Sequence, residues 1–436
     1  MRVELDIDGL APGGEGVGRS GERPVFVPFT APGDRIAADL PAGPGPAHGV
    51  LLEVLAPGAS RVAAPCRHFG PGGPRAECGG CEWLHVRYEE QLAAKARAFA
   101  ETLRRIGRID PEACGLRPIL PSPEPLRYRA RAKLHLDRAS GRLAFFRRRS
   151  HVPVPLAECH LLAPGLDALR EAVGPALAAA RLSPAEVALE WSELEGRGSA
   201  LLRLEPTPAA RARAGALLAA VPALAGVVLQ GEAGPPALVG APVLRHARDP
   251  ARPEAGAQRS RPDVFQQANR GANALLVEAA LALLRPDGED VLELHCGAGN
   301  FTAPLAARAR SVAAVEFQGP ALDLAREDLA AAGNVRFYAG DAVKLALALA
   351  RERGPAARRF GAVLLDPPRE GAKGIGAALR ELGAARAVYV SCDPATLARD
   401  VRACVEAGYR VAAVQPVDMF PQTHHVEGVV LLVAGG

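Results

Sequence analysis

The chemistry in this sequence begins at a thiol. Ser391-Cys392-Asp393-Pro394 follows the apolar run Ala387-Val388-Tyr389-Val390. The run predicts a buried strand, and Pro394-Ala395-Thr396-Leu397 predicts the first turn of a helix. Cys392 therefore falls at a strand-to-helix turn, where side chains face a crevice at the carboxyl edge of a sheet. A thiol beside a helix N-terminus feels partial positive charge, which lowers its pKa and favours the thiolate. A small buried apolar residue is the competing use of a single cysteine, so its companions decide. One companion is Glu427 in Phe420-Pro421-Gln422-Thr423-His424-His425-Val426-Glu427, an acid opening the last strand at the same edge. Glu427 is the candidate base, with His424 and His425 as rivals.

The elements that must position these groups form a βαβ series. Asp290-Val291-Leu292-Glu293-Leu294-His295-Cys296 predicts a strand, Gly297-Ala298-Gly299-Asn300 a glycine-rich loop, and Phe301 onward a helix. The next strand, Val312 to Glu316, ends in an acid suited to a ribose hydroxyl pair. Thr302 stands where a dinucleotide fold needs its third glycine, so a pyrophosphate cradle is excluded. Further strands are predicted over 335–341, 362–366, 387–390, 409–417 and 426–433, the last two forming an antiparallel edge. A seven-stranded sheet with this loop and acid fits S-adenosylmethionine. Asp366-Pro367-Pro368-Arg369 ends the fourth strand without the aromatic that amino-group methylation places there. Carbon methylation remains. Uracil C5 is a poor nucleophile until a thiolate adds to C6, and a base must afterwards remove the C5 proton.

Eight cysteines at uneven spacing, with no export signal after Met1, argue against a disulfide framework and for a cytoplasmic protein. Cys66 and the pair Cys78-Gly79-Gly80-Cys81 predict a metal centre. A fourth ligand comes from Cys114 or Cys159, with His68, His85 and His160 as outside candidates. Cys159 is favoured because a basic β segment before it can fold back. The thiol set alone suits Zn²⁺ or a [4Fe–4S] cluster equally.

The 436 residues predict two to three domains, and no apolar stretch is long enough to span a bilayer. The net charge of +4 is too small to argue for nucleic acid. Its distribution says more. Arg127, Arg129, Arg131 and Lys133 alternate along one predicted strand, and Phe145-Phe146-Arg147-Arg148-Arg149 follows, a pattern suited to phosphate and base contacts. Helical spacing of Tyr88, Leu92, Lys95, Phe99 and Leu103 predicts a helix over 82–106. Residues 245–261 are rich in Pro, Arg and Gly and predict a linker.

Residues 1–62 carry short alternating strands and Gly/Pro turns, which predict a small barrel. Gly13-Gly14-Glu15-Gly16-Val17-Gly18-Arg19, Val25-Phe26-Val27-Pro28 and Ala31-Pro32-Gly33-Asp34 resemble the TRAM module, an OB-like RNA-binding barrel. Further on, Phe265-Gln266-Gln267-Ala268-Asn269, Cys296 to Thr302, Asp366 to Gly371, Ser391 to Thr396 and His425-Val426-Glu427 occur in the order seen in RNA uracil-C5 methyltransferases. With the barrel and the cysteines, the chain resembles the 23S rRNA branch of that family.

The resemblance implies an α/β class I methyltransferase domain at 261–436 with a Rossmann-like sheet. It would follow a TRAM-like barrel at 1–62 and a central α+β RNA-binding domain with an iron–sulfur cluster at 63–260. It implies Cys392 as nucleophile and Glu427 as proton acceptor. Gln267, His295, Asn300, Glu316, Asp341 and Asp366 would line the S-adenosylmethionine pocket, with His295 replacing a common aromatic. Cys66, Cys78, Cys81 and Cys159 would hold a [4Fe–4S] cluster. The implied partner is 23S rRNA, with tRNA as the alternative, and no membrane; a monomer is expected. A non-catalytic RNA-binding protein with a relic domain is the competing class, against which both Cys392 and Glu427 stand.

Overall fold

The computed structural model describes residues 1–71, 77–352 and 360–435. The first six strands, from Arg2–Leu10 to Val50–Ala56, form one sheet in which Arg2–Leu10 pairs with both Gly16–Ser20 and Arg35–Asp39. Leu5, Ile7, Val25, Val27, Ile36 and Leu40 alternate inward and form this sheet's own core. Gly18 is required by close packing, because a Cβ there would lie 2.1 Å from the Asp6 carbonyl oxygen.

A seven-stranded sheet follows. Its strand order is Ala237–Gly240, Leu224–Gln230, Arg197–Arg203, Val187–Ser192, Arg131–Asp137, Arg142–Phe146, Pro153–Pro155. Helices Pro164–Ala179 and Pro208–Ala220 bury Leu166, Leu169, Val173, Ala214 and Leu217 against it.

The third sheet is built from seven strands of 290–434. Their order is Val335–Ala339, Ser311–Glu316, Asp290–Leu294, Ala362–Leu365, Arg386–Ser391, Glu427–Ala434, Tyr409–Val417. The final strand runs antiparallel to both neighbours, so it lies inside the sheet and the edge belongs to Tyr409–Val417. Apart from buried Glu293, the central strands are largely apolar on both faces, as a sheet covered by helices on each side requires.

Two segments depart from a reading by composition. Helix Tyr88–Thr102 packs Phe99 into the core of this third sheet, beside Leu397 and Val401. Residues 114–120 then run parallel to the edge strand, through Leu116 with Val414 and Leu120 with Val417. The predicted linker at 245–261 is instead an antiparallel ribbon, Leu244–Ala247 with Ala257–Ser260. Leu244 is its one fully buried apolar side chain; the other buried ones, His246, Gln258 and Ser260, are polar, so no sustained apolar alternation announces it. Gln258 Nε2 donates to Ala298 O at 2.9 Å and Arg248 donates to Gly299 O at 3.2 Å, so the ribbon grips the glycine loop. Among the described residues no helix is long and apolar enough to cross a membrane.

Candidate active site and cysteine centre

Cys392 lies between strand Arg386–Ser391 and helix Pro394–Glu406. Asp393 caps that helix, accepting from Thr396 N at 2.8 Å. Ser391 pairs with Gly428 across the sheet, which brings Glu427 to the end where Cys392 projects. Glu427 is 2% exposed. The Arg369 charge acts on Cys392 and favours its thiolate. The Arg369 loop is held from the helix, since Arg399 donates to Glu370 O at 2.8 Å and Asp400 accepts from Ala372 N at 2.8 Å. Gly371 is needed here, with φ of 77° and a Cβ position 2.3 Å from Asp400.

The electrostatics correct one expectation. Burial pushes the Cys392 thiol above its ordinary pKa, and the carboxylates of Glu427 and Asp366 push it the same way. The helix N-terminus does not prevail over partial desolvation; Arg369 is the group that opposes it. Burial, then Asp366, lifts the Glu427 carboxyl to about 8. Burial lifts Asp366 to about 7.

The adjoining crevice is acidic. Glu316 accepts from Gly297 N at 2.9 Å and from Gln318 N at 2.7 Å, which locks the glycine loop to the second strand. His295 sits at φ 62° next to Glu316 and Asp341, and burial lowers its pKa. Asn300 and Asn273 exchange side-chain hydrogen bonds at 2.9 and 3.0 Å. Asp341 caps helix Ala342–Arg351 through Lys344 N at 2.9 Å. Gln267 is half-buried, two residues before Asn269, whose side chain donates to Met419 O at 3.1 Å.

Two groups were missed from the sequence. Glu293 is buried in the middle of the first strand, its carboxyl lifted to about 8 by burial, and both oxygens lack a well-formed hydrogen bond among the described residues. A strand residue of alternating pattern gives no sign of this. Arg369 served only to exclude amine chemistry, although Asp-Pro-Pro-Arg at a strand end already placed it near Cys392. An acidic crevice with orphaned carboxylate oxygens suits a ligand carrying ammonium and sulfonium charge, so the residues present fit S-adenosylmethionine.

Cys66, Cys78, Cys81 and Cys159 line a single cavity. Cys114 is buried elsewhere, in the core of the third sheet. Burial, then neighbouring thiols, pushes Cys78 up to about 12 and Cys81 well above its ordinary value. Crowded sulfurs of this kind stay thiolates only with a metal cation. Among the described residues no three metal-binding side chains converge closely enough for one ion. Gly79 allows the turn to lie on the neighbouring strand, donating to Phe146 O at 2.9 Å.

Of the predicted basic face, Arg131 is spent internally, donating to Pro262 O and Val264 O beside buried Glu190. Lys133, Arg138, Arg142 and Arg149 stay exposed, and His135 stacks on Phe146 with centroids 3.8 Å apart.

A sequence model of the tRNA (Uracil-5-)-methyltransferase family matches residues 255–434. A protein of Alkalilimnicola ehrlichii named 23S rRNA (uracil(1939)-C(5))-methyltransferase RlmD is 36% identical over 97% of this chain and 95% of its own length. A protein of Thiobacillus denitrificans with the same name is 36% identical over 99% of each. The chain belongs to the RNA uracil-C5 methyltransferase family. Its fold is that of a class I methyltransferase: the crystal structure of Pyrococcus abyssi tRNA (uracil-54, C5)-methyltransferase with S-adenosyl-L-homocysteine superposes at a TM-score of 0.73, with 22% identity, over 99% of this chain and 100% of that one. Membership makes the enzyme an S-adenosylmethionine-dependent methyltransferase.

Proposed function

We propose that this enzyme methylates C5 of a uridine in 23S rRNA, at the position its full-length relatives name as 1939. The observation that supports the reading is the pairing of Ser391 with Gly428, which brings Cys392 and Glu427 to the same end of adjacent strands, where the Glu427 charge acts on the thiol. S-adenosylmethionine, when bound, would supply the electrophilic methyl group, the S–CH3 electron pair staying on sulfur so that S-adenosylhomocysteine leaves. The Cys392 thiolate forms a C–S bond to uracil C6, pushing the electron pair of the C5–C6 double bond toward O4 and making C5 nucleophilic. Once C5 carries the methyl group, Glu427 takes the C5 proton, the double bond re-forms and the C–S bond breaks. Arg369 stabilises the thiolate that departs. Gln267, His295, Asn300, Glu316, Asp341 and Asp366 would hold the cofactor. The target nucleotide must leave its stack to reach Cys392.

Cys66, Cys78, Cys81 and Cys159 hold a [4Fe–4S] cluster in this reading. Four thiols spread round one cavity wall would suit a cluster better than a single tetrahedral ion, which needs its sulfurs about 2.3 Å from one centre. Domains divided near 62 and 260 are part of the same reading, although helix Tyr88–Thr102 and residues 114–120 pack on the third sheet. A cytoplasmic monomer acting on rRNA is the accompanying proposal.

The test is labelled methyl transfer to 23S rRNA and tRNA transcripts by wild type and Cys392→Ala. Incorporation into 23S rRNA only, abolished by Cys392→Ala with cofactor binding intact, is expected. Incorporation into tRNA alone would refute the rRNA assignment, and turnover by the variant would refute the nucleophile.

A further inference from the structure

The loop that delivers Glu427 is held from the cysteine centre. Residues 418–426 join strand Tyr409–Val417 to strand Glu427–Ala434. Glu82 N and Trp83 N, immediately after Cys81, both donate to Gln422 O, at 2.8 and 3.0 Å. Gln91 donates to Gln422 Oε1 at 2.9 Å and accepts from Gln422 N at 2.9 Å. Lys95 donates to Asp418 at 2.6 Å and to Phe420 O at 2.9 Å.

One side chain spans the two sites. Glu82 Oε2 accepts from His424 N at 3.0 Å and lies 2.8 Å from His424 Nδ1. His424 packs on His425, with ring centroids 4.2 Å apart, and His425 lies two residues before Glu427. The N-terminal sheet closes over this pair. A Cβ on Gly14 would come within 3.2 Å of the Glu82 carboxyl carbon and of His424 Nδ1, and Trp83 Nε1 donates to Gly14 O at 2.9 Å.

We infer that Glu82 is a positioning residue that fixes the 418–427 loop to the cysteine centre, so that the filled centre sets the place of Glu427 without electron transfer. The inference rests on the proposed roles of Glu427 and of the four cysteines. It gives the cluster a use in a reaction with no redox step: loss of the cluster frees the Cys78–Cys81 turn, and through Glu82 the catalytic loop.

The experiment compares Glu82→Ala and Glu82→Gln in iron-replete, full-length enzyme. Glu82→Ala is expected to lower kcat about tenfold, the scale of one charge-assisted hydrogen bond. KM for S-adenosylmethionine and iron content should stay near wild type. Amide hydrogen exchange across 418–427 should accelerate. Glu82→Gln keeps an acceptor for His424 N and should recover most of kcat. Removing iron from wild type by chelation should accelerate exchange over the same residues. Unchanged exchange over 418–427 in either preparation overturns the inference, as does loss of iron in Glu82→Ala in step with kcat. Neither result bears on the base, which is judged separately by adduct trapping in Glu427→Gln.

Discussion

Glu427→Gln is the substitution that most directly tests the chemistry. The Glu427 carboxyl is lifted from 4.5 to about 8, by burial first and then by Asp366. That shift disfavours the ionised form by on the order of 5 kcal/mol. Asp366, lifted to about 7, shares the crevice, so the two titrate as a pair. Only the carboxylate can accept the C5 proton. With a pKa near 8 roughly a tenth of Glu427 is ionised at neutral pH, and a turnover limited by proton removal climbs about tenfold per pH unit before levelling above that pKa. The Gln variant lacks the base and should lose about 10²–10⁴-fold in turnover. It should also accumulate a covalent protein–RNA adduct, because Cys392 still adds to C6 and cannot leave. The negative charge of Glu427 is one of the groups raising the Cys392 thiol. Adduct formation in the variant should therefore reach its plateau at a lower pH than addition in wild type. The assay is a single-turnover pH series read by methyl incorporation and by a denaturing gel. Turnover by Glu427→Gln within tenfold of wild type, or absence of any adduct, would refute the assignment.

Other consequences are as direct. Stability has the opposite sign to activity: a carboxyl whose folded pKa is raised stabilises below its unfolded value and loses that contribution as pH rises through about 8. Glu427→Gln, neutral throughout, should melt higher than wild type above that pH, as calorimetry would show. Lys95→Ala breaks an ion pair with Asp418 in which both side chains are 0% exposed, and should cost about 3–5 kcal/mol in a denaturant titration. Binding of S-adenosylmethionine places cationic charge beside Glu293, held near 8, and should release protons near neutrality, visible as a buffer-dependent calorimetric heat. Cys159→Ser should lose iron and the broad visible absorption, whereas Cys114→Ser should keep both, since Cys114 lies in the third sheet's core.

What could be read from the sequence was chemistry local in the chain. The strand, glycine loop, helix and acid of 290–316 are contiguous, and their spacing alone implied the crevice that Glu316 and Gly297 close. The Cys392 turn was legible for the same reason. The sign of its pKa was not, because burial and the Glu427 charge come from across the sheet and neither follows from a helix N-terminus. The choice of Cys159 over Cys114 rested on a fold-back of the basic strands, and the structure does bring Cys159 to the cavity with Cys66, Cys78 and Cys81. The ribbon at 244–260 was illegible because, Leu244 apart, its inward residues are polar and satisfied by one another, by Glu190 and by the glycine loop.

The same limit explains why the support of the catalytic loop escaped notice. Gln91 and Lys95 form a polar stripe, four apart, on helix Tyr88–Thr102; the spacing of Tyr88, Leu92, Lys95, Phe99 and Leu103 predicts the helix but not what that stripe meets. In the fold that stripe is 0–1% exposed and faces residues 418–422, more than three hundred positions away. Burying a lysine and a glutamine is costly unless every polar atom is met. Here Asp418, Phe420 O, Gln422, Trp83 O and Val86 O meet them. A helix that gives up its apolar stripe to hold a loop in this way does not serve the core alone. It fixes where Glu427 begins its strand, and the adjoining Cys78–Cys81 turn does so from the other side. Polar residues at helical spacing next to a metal-type cysteine pair are therefore the sequence feature from which a distant loop support could have been suspected.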